Sequence, residues 1–206
     1  MKTLIVAALA MVSSQLLAAP LIHYQQSWAE IKYQTADKEQ EKNFAKLRLQ
    51  MQSELKTHGQ DPDYLIWGGI ISASYAGAKG GLGALKYVKE ARSELEKAIK
   101  INDKALGGSA YTSLGSLYYL VPGWPISFGD DDKAKQYLQK ALVINPDGID
   151  ANFFYGDFLM DQGHYRQAKV YLEKALAAPA RPGRAVADAG RKGEIQERLK
   201  TIQTKL

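Results

Sequence analysis

The sequence predicts an all-α chain built from stacked helical hairpins, on three observations. No segment of useful length alternates apolar and polar residues with period two. Apolar residues recur instead at spacings of three and four: Leu21, Tyr24, Trp28 and Ile31; Phe44, Leu47, Met51 and Leu55; Ile195, Leu199, Ile202 and Leu206. The middle of the chain also repeats itself. "YLIWGGI", "YTSLGSLY" and "NFFYGDFL" each set a glycine after a large residue, and each is followed by a second match, "ARSELEKAI", "AKQYLQKAL" or "AKVYLEKAL".

The chain begins with Lys2, an apolar run from Leu4 to Val12, then a polar break and small residues up to Ala18. That layout predicts a signal peptide over residues 1–18, too short to span a membrane and removed on export, so that no transmembrane segment is expected in the mature chain. Residues 19–60 predict two helices that pack on the repeats. "QTADKEQEK" separates them, Asp37 is a candidate cap, and "GQDP" ends the second because glycine and proline stop helices.

Three hairpins follow over 61–180, divided as 61–107, 108–148 and 149–180. Their first helices carry Tyr64-Trp67-Gly68-Ile71, Tyr111-Leu114-Gly115-Tyr118 and Asn152-Tyr155-Gly156-Leu159. Their second helices align Ala91, Leu95 and Ala98 with Ala134, Leu138 and Ala141, and with Ala168, Leu172 and Ala175. Small residues let two antiparallel helices approach, while the large ones fill the space beside them. Residues 181–206 predict a basic capping helix over the last apolar face.

This pattern resembles the tetratricopeptide repeat (TPR) across about Asp61 to Ala180. The resemblance implies a right-handed superhelix whose inner wall, lined by the first helices, binds a protein or peptide partner. Carried over position by position, the groove would consist of Leu65, Gly69 and Ser72, then Thr112, Ser116 and Tyr119, then Phe153, Asp157, Met160 and Asp161. This wall lacks the cluster of basic residues that would clamp a C-terminal carboxylate. A broader similarity to the T-components of TRAP transporters implies an alternative, a periplasmic small-ligand carrier or transport accessory with an apolar pocket containing Trp124 and Phe128.

No residue set in the sequence points to catalysis, a cofactor or a metal, so a non-catalytic scaffold is expected. The chain has no cysteine, and His23, His58 and His164 share no metal-ligand spacing. "AGAKGGLGALK" fails both the Walker and the G-x-G-x-x-G patterns and predicts a turning connection between helices. Asp130, Asp131 and Asp132 lack the calcium-loop spacing, and one of them predicts a helix cap. In "KYVKEARSELEKAIK", i,i+4 pairs such as Lys86–Glu90 and Arg92–Glu96 predict a solvated face.

Once Lys2 is removed the net charge is +4, and Arg181–Leu206 alone, with seven basic and three acidic residues, accounts for all of it. A neutral body with a basic tail argues against nucleic acid. With export, it predicts an envelope protein, periplasmic in preference to secreted.

The connection "YLVPGWPISFGDDDKA" is the most individual stretch. Pro122 and Pro125 forbid continuous helix, and Trp124, Ile126 and Phe128 are too apolar for a solvated loop. These side chains either plug the hairpin or form a sticky lip for recognition.

Overall fold

The computed structural model describes residues 9–206, with side chains from Leu21 onward. The expected signal peptide, 1–18, lies outside the residues with described side chains. The fold is all-α and TPR-like, as the sequence predicts. Its helices are α1 (Leu9–Gln34), α2 (Asp37–His58), α3 (Pro62–Lys79), α4 (Leu85–Ile101), α5 (Ser109–Leu120), α6 (Asp131–Ile144), α7 (Ile149–Asp161), α8 (Tyr165–Leu176) and α9 (Ala185–Gln203). Short 3₁₀ turns at Leu82–Ala84 and Ala105–Gly108 link successive elements. No described helix is long and apolar enough to cross a membrane.

Helices α3/α4, α5/α6 and α7/α8 pair as antiparallel hairpins. Each crossing is set by one glycine facing one leucine. A Cβ added at Gly115 would lie 2.5 Å from Leu138 Cγ, and one at Gly156 would lie 2.9 Å from Leu172 Cγ. In the first hairpin the equivalent residue is Gly69, whose Cβ would meet Leu95 Cγ at 2.6 Å.

The expected register of that copy is therefore corrected by one residue. Leu65, Gly69 and Ser72 face α4, while Tyr64, Trp67 and Ile71 turn to a second cluster with α1 and α2. The cause is that α3 is sandwiched between α2 and α4 and buries both faces, so adjacent Gly68 and Gly69 offer two equally apolar registers. Gly68 instead lies against Leu55 and Glu94.

These contacts give a paired prediction. Gly115→Ala should destabilise by about 1–3 kcal/mol through overpacking. Gly77→Ala, where a Cβ meets nothing within 4 Å, should stabilise α3 by about 0.5–1 kcal/mol. Thermal melts of the two variants check it. Equal shifts would contradict the glycine–leucine crossings.

Several local expectations are settled by geometry. Asp130 caps α6, its carboxylate accepting from Lys133 N at 3.0 Å. Asp37 is the first residue of α2, behind Ala36 at the cap position, and Asp61 caps α3. Gly80 and Gly81, at φ +65° and +62°, turn the chain out of α3. Arg92 and Glu96 pair at 2.6 Å, but Glu90 turns away from Lys86 to accept from Arg48 of α2.

The last helix does more than cap. The linker holds Pro179, Pro182 and Gly183 (φ +69°), which bend the chain back, and α9 packs on α8, α7 and α1. A Cβ at Gly190 would collide with the Tyr33 ring of α1, and the Tyr33 hydroxyl donates to Glu194 Oε2 at 3.2 Å. The first and last helices of the described chain thus meet across the concave side.

Candidate functional site

Each helix turn in α7 and α9 places an acid opposite a base. Asp150 and Asp157 stand seven residues apart on α7, and Arg191 and Arg198 stand seven apart on α9. Two helical turns bring both members of each set to one face. Arg191 Nε donates to Asp150 Oδ1 at 2.9 Å, and Arg198 Nε donates to Asp157 Oδ1 at 2.6 Å. Asp157 also accepts from the Tyr119 hydroxyl of α5 at 2.8 Å. Burial, together with that carboxylate, holds the Tyr119 hydroxyl well above its ordinary pKa.

This ladder decides the fate of the expected groove. Leu65, Gly69, Ser72, Thr112 and Phe153 are buried, so they present no surface to a partner. Asp157 is taken up by the Tyr119 hydroxyl and by Arg198, both of which donate to it, and Met160 packs partly buried on the core. Ser116 is half-buried and Asp161 is exposed. The open peptide trough is thus corrected to a covered one. Within the basic tail, Arg181, Arg191 and Arg198 pair with acids of the fold, while Lys200 and Lys205 stay exposed. Asp150/Asp157 and Arg191/Arg198 share a seven-residue spacing in the sequence, but nothing in that spacing pairs one set with the other.

Beneath α9 the covered trough is not full. A cavity of about 540 Å³ remains between α1, α3, α5, the start of α7 and the linker before α9. Its floor is the true inner wall, with Ile70 and Ala73 from α3 and Thr112 and Ser116 from α5. Trp28 and Trp67 stand edge-to-face at 5.8 Å on one side, and the Trp28 Nε1–H donates to Ser74 Oγ at 2.8 Å. Leu106, held at φ +46°, and Gly107 form the turn at the wall, a backbone shape that costs a leucine about 1–2 kcal/mol. Helices α5 and α7 both begin there behind glycines, Gly108 and Gly148, without a side-chain cap.

Charge in the cavity is concentrated at the α7–α9 end. Arg181 donates to Asp150 Oδ2 at 2.6 Å and to Asp188 Oδ1 at 2.7 Å. Burial by itself would raise the Asp150 carboxyl, but Arg191 and Arg181 outweigh it and hold the pKa down to about 2. Arg191 also stacks on Phe153 and Phe154, at 4.2 and 4.7 Å from their ring centres. Arg184 differs from both. It lies over the Trp67 ring at 4.9 Å, its buried Nε has no hydrogen-bond partner, and it makes no ion pair among the described residues. Among the described residues no group of three His, Cys, Asp or Glu side chains is placed to hold a metal ion.

The loop divides the expected alternatives between its residues. Phe128 packs edge-on against Tyr118 at 5.4 Å, with Arg92 over its other face at 4.9 Å. Trp124 is 90% exposed and Ile126 53%. So Phe128 plugs the hairpin, while Trp124 and Ile126 form a lip. None of the three lines the concave cavity, which corrects the expectation that an apolar pocket would contain Trp124 and Phe128.

One crossing glycine, Gly156, one complete hairpin, α7/α8, and the second-helix alanines of α6 and α8 lie in the stretch that a family model matches. Residues 126–189 match the tetratricopeptide repeat model. The matched stretch runs from the lip through α6, α7 and α8 into the first turn of α9. No curated protein matches the chain. TPR repeats are in general non-catalytic and mediate contacts between proteins. Here the repeats are folded around an enclosed space as well.

Proposed function

We propose that this chain is an exported, non-catalytic binding protein of TPR-like build whose ligand site is the covered concave cavity. The observation that carries the proposal is the pocket itself: Gln25 and Trp28 of α1, the linker arginines and Arg191 of α9 border the inner wall and leave a partly open space of about 540 Å³ above it. That volume is in the range of small-molecule sites, and its walls combine aromatic faces with a few placed polar groups, as such sites do. A small-ligand carrier is also what a resemblance to transporter T-components would imply, here with Trp28 and Trp67 at the pocket and Trp124 and Phe128 outside it.

Tryptophan emission provides the test. Trp124→Phe removes the exposed indole and leaves Trp28 and Trp67, the two at the cavity. A neutral apolar probe, N-phenyl-1-naphthylamine, should quench that emission saturably, and Ser116→Phe, which fills the cavity, should abolish the quenching. A probe that leaves the emission unchanged, or that titrates equally well into Ser116→Phe, would reject the cavity as the site.

Export is supported by the layout of residues 1–18. The mature protein from the native host should begin at Ala19 by intact mass, and a product that retains Met1 would remove export from the proposal.

A second function, contact with a protein partner, is favoured by the lip. Exposed Trp124 and Ile126 sit on a loop braced by Gly129 N–H donating to Pro122 O and Asp130 N–H donating to Tyr118 O. Large exposed aromatics on ordered loops are binding anchors. Replacing both with alanine should lower recovery of a partner crosslinked in the intact envelope while helicity stays unchanged. Equal recovery would reject the lip.

A further inference from the structure

We infer that the cavity takes a small organic anion, whose acid group pairs with Arg184 and whose apolar body lies against Trp67, Ile70 and Phe154. This inference rests on the cavity being the ligand site. Three arginines border that space, but two of them are already spent. Arg191 is held by Asp150 and Glu194, and Arg181 by Asp150 and Asp188. Tyr33 and Lys32 of α1 also bind Glu194, so no acid in that cluster is free to serve Arg184.

Arg184 sits at the start of α9 with its guanidinium on the Trp67 face and a fully buried Nε–H that donates to nothing. That Nε–H is closed off from the cavity as well, so what an anion in the cavity would meet is the charge of the rest of the guanidinium, which lines the space and makes no ion pair among the described residues. Burial first, and the neighbouring Arg181 second, push the Arg184 pKa down, and the attraction of Asp150 and Asp188 only partly offsets them. A guanidinium presents paired N–H groups to the two oxygens of a carboxylate, and the indole beneath it holds the plane in position. The hydroxyls of Thr112 and Ser116 and the amide of Asn145 line the same space and can receive further polar groups of the ligand.

The test uses matched pairs of ligands: aliphatic and aromatic mono- and dicarboxylic acids, each beside its neutral amide, titrated by calorimetry and by thermal shift. At least one acid should bind while its amide binds at least about tenfold more weakly, the difference that a charged hydrogen bond supplies. Arg184→Gln should weaken the acid by about tenfold or more and leave the amide unchanged. The unliganded variant should melt close to the parent, because the guanidinium gives up its stacking on Trp67 but no ion pair. Arg184→Lys should restore only part of the affinity, since an ammonium cannot match both oxygens.

Acids and amides that bind equally, or an Arg184→Gln protein that binds acids as the parent does, would overturn the anion assignment while leaving the cavity as the site. A panel in which neither acids nor amides bind, together with failure of the neutral naphthylamine probe, would overturn both.

Discussion

Asp150→Ala is expected to destabilise the protein by about 1.5–3 kcal/mol, the loss of charged hydrogen bonds at a half-buried acid whose two arginines keep other partners. The carboxylate serves two arginines at once, Arg181 at 2.6 Å and Arg191 at 2.9 Å, and the Arg191 side chain is only 9% exposed. Removing the acid leaves Arg191 with Glu194 and Arg181 with Asp188, and takes away one of the two ties between α7 and α9. Chemical denaturation gives the magnitude. The same carboxylate sets an acid limit. Its folded pKa of about 2 lies below the ordinary value near 4, so its contribution is complete above about pH 4 and is lost as pH falls toward 2. Asp150→Asn should flatten the parent's stability curve in that window. A loss below about 1 kcal/mol for Asp150→Ala would mean that the ladder does not hold α9 in place.

Glu94→Gln is expected to act with the opposite sign. Glu94 lies between α2, α3 and α4, where Gln52 Nε2 donates to its Oε1 at 2.6 Å and its buried Oε2 has no partner. Burial is the main cause that raises its pKa to about 7, and Glu90 adds to the shift. Between about pH 4.5 and 7 the folded state therefore binds more protons than the unfolded chain, and stability falls as pH rises through that window. Above pH 7 the full penalty is on the order of 3–4 kcal/mol, at about 1.4 kcal/mol per pKa unit for a rise from 4.5 to about 7. The variant should thus be more stable than the parent by that amount at pH 8 and equal to it near pH 4.5. Melting curves across pH 4.5–8 report it directly, and a variant that tracks the parent at every pH would contradict a buried, uncompensated carboxylate.

Most of the hairpin architecture was legible because it rests on local pattern. A glycine facing a leucine across two helices leaves its mark in both segments, as Gly115 with Leu138 and Gly156 with Leu172 show. Asp130 likewise announced its cap by standing before an apolar-periodic run. The register of α3 was not legible, since a helix buried on both faces carries no polar stripe to orient it.

The site was legible only in its residue types. Arg191 and Arg198 read as charge on a tail, because nothing in a linear sequence tells a solvated arginine from one that meets an aspartate 41 positions away. Closure of the trough depends on where the 178–184 linker sends α9, and a turn with two prolines and a positive-φ glycine specifies a bend but not its destination. Arg184 was beyond reach for the same reason. Its significance lies in what it fails to touch.

The account depends on the first and last helices meeting over the concave face. In the parent protein, with tyrosine rings selectively protonated, nuclear Overhauser effects between the Tyr33 ring and the α-protons of Gly190 test this most directly. The packing of the ring against that glycine predicts strong cross-peaks and an upfield ring-current shift of the Gly190 α-protons. Gly190 α-protons at ordinary shifts, without cross-peaks to Tyr33, would show an open trough and contradict the enclosed site.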